Sequence, residues 1–170
     1  IAQWFVAEEQ RRDDSIRDRC SEVTGRLRFE APFAPFELTA KADRIDVLAD
    51  GRLGIIDYKT GQLPTRKEVA AGFAPQLPLE AAIALAGGFD SIARAPIAQI
   101  TYWRLRGNEE GGEKLDLDGD PIELAQTARA GLERLVAVFD QEETAYAARP
   151  RSSVAPRFSN YEHLARIREW

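Results

Sequence analysis

Apolar and polar residues alternate cleanly over 26–33. Leu27, Phe29, Ala31 and Phe33 fall on one side, Arg26, Arg28 and Glu30 on the other. Period-two alternation predicts a half-buried strand, closed by Pro32 and Pro35. Residues 36–48 read as a second strand, and Asp50-Gly51 is a hairpin turn signal leading into a third at 53–59. Residues 1–23 are predicted to be helical, with Trp4, Phe5, Ile16, Cys20 and Val23 as the apolar stripe and Gly25 beyond it. Thr65 and Glu68 have capping-box spacing for a short helix. A further helix runs from about Pro75 to Leu85, with its prolines in the first turn and Gly87-Gly88 at its end. Residues 97–106 read as a fourth strand and 107–120 as a polar loop. Asp120-Pro121 supplies an N-cap and first helical position for a long helix to about Tyr146, which buries Ile122, Ala125, Ala128, Leu132, Leu135, Val136 and Phe139. The predicted order is α-β-β-β-α-α-β-α, followed by a tail. The expected fold is α/β, a small mixed sheet flanked by helices on both faces.

The third strand carries chemistry. Leu53-Gly-Ile-Ile-Asp57-Tyr-Lys59 is apolar until its end, and side chains on a strand alternate, so Asp57 and Lys59 point the same way. A lone Asp-x-Lys is most often an ion pair on a solvated edge strand. Here the apolar lead-in marks an interior strand, where such a pair is costly without a task. The preceding strand adds Asp43 and Asp46. Carboxylates beside an ammonium suit a divalent cation and a polarised water, which points to phosphodiester hydrolysis. With a strict two-residue turn at Asp50-Gly51, Asp46 shares the face of Asp57 and Lys59. A bulge or a three-residue loop puts Asp43 there instead.

Composition narrows the setting. At 170 residues and 44% apolar the chain is expected to be one domain with a real core. No apolar run approaches the length of a membrane span, and no signal-peptide pattern is present. One cysteine, Cys20, excludes an internal disulfide and any all-cysteine metal site within the chain. The expected location is cytoplasmic. The absence of Met is read as the mark of a piece of a longer protein. A net charge of −5 argues against simple nucleic-acid binding, although metal ions and local basic patches can offset carboxylates. The tail gathers Arg149, Arg151, Arg157, Arg166 and Arg168 against Glu162 and Glu169.

Ala42-Asp43-Arg-Ile-Asp46, Ile55-Ile-Asp57-Tyr-Lys59-Thr-Gly61 and Gln76-Leu-Pro-Leu-Glu80 together resemble the PD-(D/E)XK nuclease superfamily, and within it the RecB-like nuclease domain at the C-terminus of AddB-type recombination subunits. The ending, Tyr161 to Trp170, is similar to the tail of alphaproteobacterial AddB proteins. The resemblance implies a restriction-endonuclease-like core and a Mg²⁺- or Mn²⁺-dependent DNA exonuclease acting in double-strand-break end processing, beside an AddA-type helicase–nuclease subunit. It assigns metal binding to Asp43 and Asp57, favouring Asp43 over Asp46. It makes Lys59 the residue that orients water and stabilises phosphorane charge, and Gln76 its support. Alternatives are an inactive nuclease fold serving as a DNA-binding or assembly module, and a Cas4-like or restriction-type nuclease.

Three departures from the family pattern are visible. Ala40 stands where a glycine is common, and Glu80 takes a position usually held by Tyr. No acidic residue or His in residues 1–30 matches the upstream group that family members place on a helix, so the isolated chain is expected to fold but cleave poorly. Glu8, Glu9 and Glu30 are the candidates for an overlooked ligand. Arg104 and Arg106, two apart on the fourth strand, are candidate phosphate contacts. His163 is expected to be exposed or structural. Cys20 is expected on a buried helix face. Asp116-Leu-Asp-Gly-Asp120 lacks the spacing of a calcium loop and reads as a turn before an N-cap.

Overall fold

A computed structural model of the chain describes residues 1–146. The basic tail from Arg149, His163 and the resemblance at 161–170 lie outside the described residues. Helix α1 (Ala2–Arg12) and a 3-10 turn (Asp13–Ser15) lead into β1 (Ile16–Phe29), β2 (Phe36–Leu48) and β3 (Leu53–Lys59). Helices α2 (Arg66–Ala70) and α3 (Gln76–Ala86) carry the chain to β4 (Ile97–Leu105), β5 (Gly112–Asp116) and α4 (Pro121–Phe139). The strands form one mixed sheet in the order β1-β2-β3-β4-β5, antiparallel throughout except for the parallel β3–β4 pair. A parallel pair needs a crossover, and α2 and α3 supply it.

The two faces of the sheet are covered differently. On one, Leu53, Ile55, Ile100 and Tyr102 pack with Leu77, Ala81 and Ile83 of α3 and Ala125 of α4 into the main core. On the other, Trp4 and Phe5 of α1 lie edge-on against Trp103, at ring-centroid distances of 5.6 and 5.7 Å. This is the expected α/β architecture, a small mixed sheet with helices on both faces. No described helix is long and apolar enough to cross a membrane.

The predicted helix 1–23 begins as expected but needs correction beyond Arg12. The helix stops at Arg12, and 16–29 is one long strand. Ile16, Cys20 and Val23 have helical spacing because β1 is irregular. Its register slips between Ile16 and Asp18, and Glu22 has φ +58°. Cys20 and Val23 therefore both reach the core although three residues apart. Cys20 packs against the core as expected, but from a strand. The strand at 26–33 ends at Phe29, and Phe33 is 87% exposed. The expected loop at 107–120 contains β5. Gly112-Glu-Lys-Leu-Asp116 has one large apolar residue and owes its conformation to pairing with β4. The final helix stops at Phe139.

Other local signals behave as their chemistry dictates. Thr65 and Glu68 form both halves of the capping box of α2. Gly87 ends α3 in the left-handed region at φ +73°. Asp120 caps α4 by accepting from the Ile122 amide at 2.9 Å, while Asp116 accepts from Thr101 Oγ1 at 2.6 Å.

Candidate active site at the end of the parallel strands

The β2–β3 turn decides which carboxylate faces the site. Leu48 N donates to Arg52 O at 2.8 Å, and Gly51 N donates to Leu48 O at 2.9 Å. Three residues, Ala49-Asp50-Gly51, therefore lie inside the closing pair, and Gly51 sits at φ +86°. This is the three-residue hairpin that needs glycine in the left-handed position. Its register pairs Ile45 with Ile55 and Asp46 with Gly54. The same ladder brings Asp43 across from Asp57.

Asp46 faces away, under α1. It has no exposed surface, and Arg44 Nε donates to its Oδ1 at 2.6 Å while Arg12 Nη2 lies 2.8 Å from its Oδ2. Its role is structural pairing. Glu8 and Glu9 belong to this face too. Glu8 pairs with Arg11 and with Lys114, at 2.6 Å from the latter, and Glu9 pairs with Arg44 at 2.5 Å. Glu30 is exposed just past β1. None of the three joins the Asp43–Asp57 cluster.

On the core face, Asp57 is 1% exposed and Lys59 Nζ lies 3.0 and 2.8 Å from its two carboxylate oxygens. Lys59 Nζ also donates to Gln76 Oε1 at 3.1 Å, in the first turn of α3. Gln76 Nε2 donates onward to Glu80 Oε1 at 3.1 Å. Asp43 Oδ2 accepts from the Tyr58 amide at 2.8 Å, and the Lys59 ammonium lies 5.8 Å from the centroid of the Tyr102 ring. The predicted residues Asp43, Asp57, Lys59 and Gln76 thus form one cluster drawn from β2, β3 and α3.

Electrostatics in the cluster are strained. Burial pushes the Asp57 carboxyl upward, opposed by its bonds to Lys59 and reinforced by the Asp43 charge. Burial raises Glu80 to about 7, with Asp57 and Asp43 adding to the effect and Gln76 and Lys59 opposing it. Glu80 is 2% exposed, and its Oε2 is buried with no hydrogen-bond partner. In the sequence Glu80 stands out only as a departure from the Tyr of the family pattern. The signal was its i, i+4 spacing from Gln76, which puts both on one side of α3.

The donor set fits a hard divalent cation. Buried Asp57 and half-buried Asp43 come from adjacent strands and repel each other, so a shared positive charge would relieve both. Among the described residues no three His, Cys, Asp or Glu side chains converge closely enough to enclose an ion. Mg²⁺ keeps several waters and takes one or two carboxylates.

The chain is similar to several known proteins. An uncharacterised protein of Rickettsia typhi is 34% identical over 90 residues, covering 53% of this chain and 10% of its own length. One of Rickettsia felis is 33% identical over 86 residues, covering 51% and 10%. The matched region thus spans about a tenth of the length of these curated relatives. The crystal structure of SSO0001 is similar at a TM-score of 0.42 and 11% identity, over 86% of this chain and 61% of that one. A profile of the PD-(D/E)XK nuclease superfamily, whose members are generally nucleases that typically use divalent metals such as Mg²⁺, matches residues 2–157, and the chain belongs to that superfamily.

Proposed function

We propose that the chain is a metal-dependent DNA nuclease module, an exonuclease in the processing of double-strand-break ends. The observation that carries the nuclease reading is the Asp57–Lys59–Gln76 chain of contacts beside Asp43. Asp43 and Asp57 would hold Mg²⁺ or Mn²⁺, which when bound lowers the pKa of water and neutralises charge on the phosphate. Lys59, held between Asp57 and Gln76, stands where an ammonium can orient the attacking water and offset the charge of the phosphorane. Tyr58 N fixes one Asp43 oxygen and leaves the other available. The exonuclease and end-processing assignments, and an AddA-type helicase–nuclease partner, draw their support from the resemblance of the quoted motifs to AddB-type subunits.

A catalytically inactive fold used for binding or assembly is the rival reading. A dead site has no reason to keep Asp43, Asp57 and Lys59 together at an apolar strand end. The test has two parts. Mn²⁺ titration should show tighter binding to wild type than to Asp57→Ala, and equal affinities would remove Asp57 as a ligand. Lys59→Ala should retain metal and DNA binding but lose most cleavage, and unchanged cleavage would assign the chemistry elsewhere.

A further inference from the structure

We propose that Arg104 and Arg106 form a binding site for a backbone phosphate of the nucleic-acid strand beside the scissile bond, and that Glu113 occupies this site when no phosphate is bound. The inference rests on the nuclease reading and adds a substrate contact that the Asp57–Lys59 cluster does not include.

Placement is the first support. The ladder of the parallel pair aligns Asp57 with Tyr102 and Lys59 with Arg104. Paired residues on adjacent strands share a face and sit about 4.8 Å apart, so Arg104 is the direct lateral neighbour of Lys59. Arg106 follows just beyond the end of β4, its amide bonded to Gly111 O at 3.0 Å. Lys59, Arg104 and Arg106 therefore make a row of three cations at the carboxyl ends of the parallel strands. Open α/β sheets bind ligands at that edge.

Stoichiometry is the second. One carboxylate oxygen, Glu113 Oε1, takes both guanidiniums: Arg104 Nη1 donates at 3.0 Å and Arg106 Nη2 at 2.5 Å. Glu110 adds a long contact to Arg106 at 3.4 Å. The Nε donors of both arginines have no hydrogen-bond partner. Each guanidinium gives Glu113 a single N–H, whereas a phosphate offers several oxygens to the two forks. A carboxylate also carries less charge.

Exposure is the third. The side chains of Arg104 and Arg106 are 23% and 30% exposed. Their stems are thus held while their heads remain reachable. Glu113 is 39% exposed, so it can swing into solvent at little cost. As an ion-pair ladder alone, such a surface cluster would contribute little to stability.

The full chain can be titrated with a fluorescent single-stranded oligonucleotide, read by anisotropy in EDTA so that nothing is cleaved. Arg104→Gln and Arg106→Gln should each weaken binding several-fold and lower the log affinity–log salt slope by roughly one unit. Arg104→Lys should keep most of the slope. Glu113→Gln should tighten binding, because the resident competitor is gone. Wild-type affinity and slope in the Arg→Gln variants, weaker binding in Glu113→Gln, or no wild-type binding at all would each overturn the proposal. Should an Arg→Gln variant melt early by circular dichroism, Arg104→Lys and Glu113→Gln still decide. The nuclease reading fails separately, if wild type binds the strand but cleaves it with neither Mg²⁺ nor Mn²⁺.

Discussion

Glu80 shows how much one side chain can govern. Its Oε1 accepts from Gln76 Nε2, which turns the amide so that its carbonyl faces Lys59. Replacing Glu80 with Leu frees that amide to flip, so cleavage should fall more than with Glu80→Gln, which keeps an acceptor. The ratio of the two rates at fixed Mg²⁺ checks this. Glu80 also makes stability depend on pH. Its folded value of about 7 lies above the ordinary 4.5, so the folded state binds more protons than the unfolded state between these values. Stability therefore falls as pH rises from about 4.5 to about 7, by an amount on the order of 3 kcal/mol. The raised Asp57 acts in the same direction. Thermal melts at pH 5 and pH 8 should show a larger loss for wild type than for Glu80→Gln. An equal loss would mean that Glu80 does not titrate in this range.

At the scale of elements, the β2–β3 turn sets the identity of the site. Its three residues put Asp43 beside Asp57 and send Asp46 to the other face. Deleting Val47 would keep the three-residue loop and shift the rest of β2 by one residue against β3, exchanging the faces. The variant should lose cleavage and Mn²⁺ affinity and also stability, since Asp46 would leave its arginines. Gly51→Ala tests the turn itself. An added Cβ there meets nothing within 4 Å, so only the φ of +86° opposes it, at about 1 kcal/mol. Denaturant melts should show that small loss with metal affinity intact. These elements also show what was legible. The apolar run before Asp57, the capping box at Thr65 and the Gly87 stop are local signals, and each element appeared where its residues put it. Turn length was ambiguous because Asp50-Gly51 serves both a two- and a three-residue hairpin. β1 was hidden because an irregular strand placed Cys20 and Val23 at helical spacing. β5 was hidden because a short edge strand with one large apolar residue shows no alternation and takes its conformation from pairing with β4. Glu80's bond to Gln76 was not read, since a buried carboxylate on an apolar helix looks like an exception until its partner is placed.

Across the whole molecule, the sheet separates two charged systems. One face carries Asp43, Asp57, Lys59 and Glu80. The other carries Arg12, Arg44, Asp46 and Glu9, locked under α1, with Arg12 and Arg44 guanidiniums 5.3 and 5.8 Å from the Trp103 ring. Arg44→Met should cost about 3 kcal/mol in urea unfolding, because fully buried Asp46 would keep only Arg12 as a partner. Adding Asp46→Met should restore much of that loss, as removing a buried pair together often does. No restoration would mean that the network contributes more than its pairing.

Tyr58 belongs to both systems. Its amide holds Asp43, while its hydroxyl accepts from Arg44 at 3.2 Å and its ring lies 6.1 Å from that of Phe5. One residue thus transmits position through the thickness of the sheet. Substitutions beneath α1 that touch no site residue can tilt the Tyr58 peptide and with it the Asp43 carboxylate. Such changes would register in a genetic screen as loss of the proposed activity in a protein that still folds, and their map would outline α1 rather than the Asp43–Asp57 cluster.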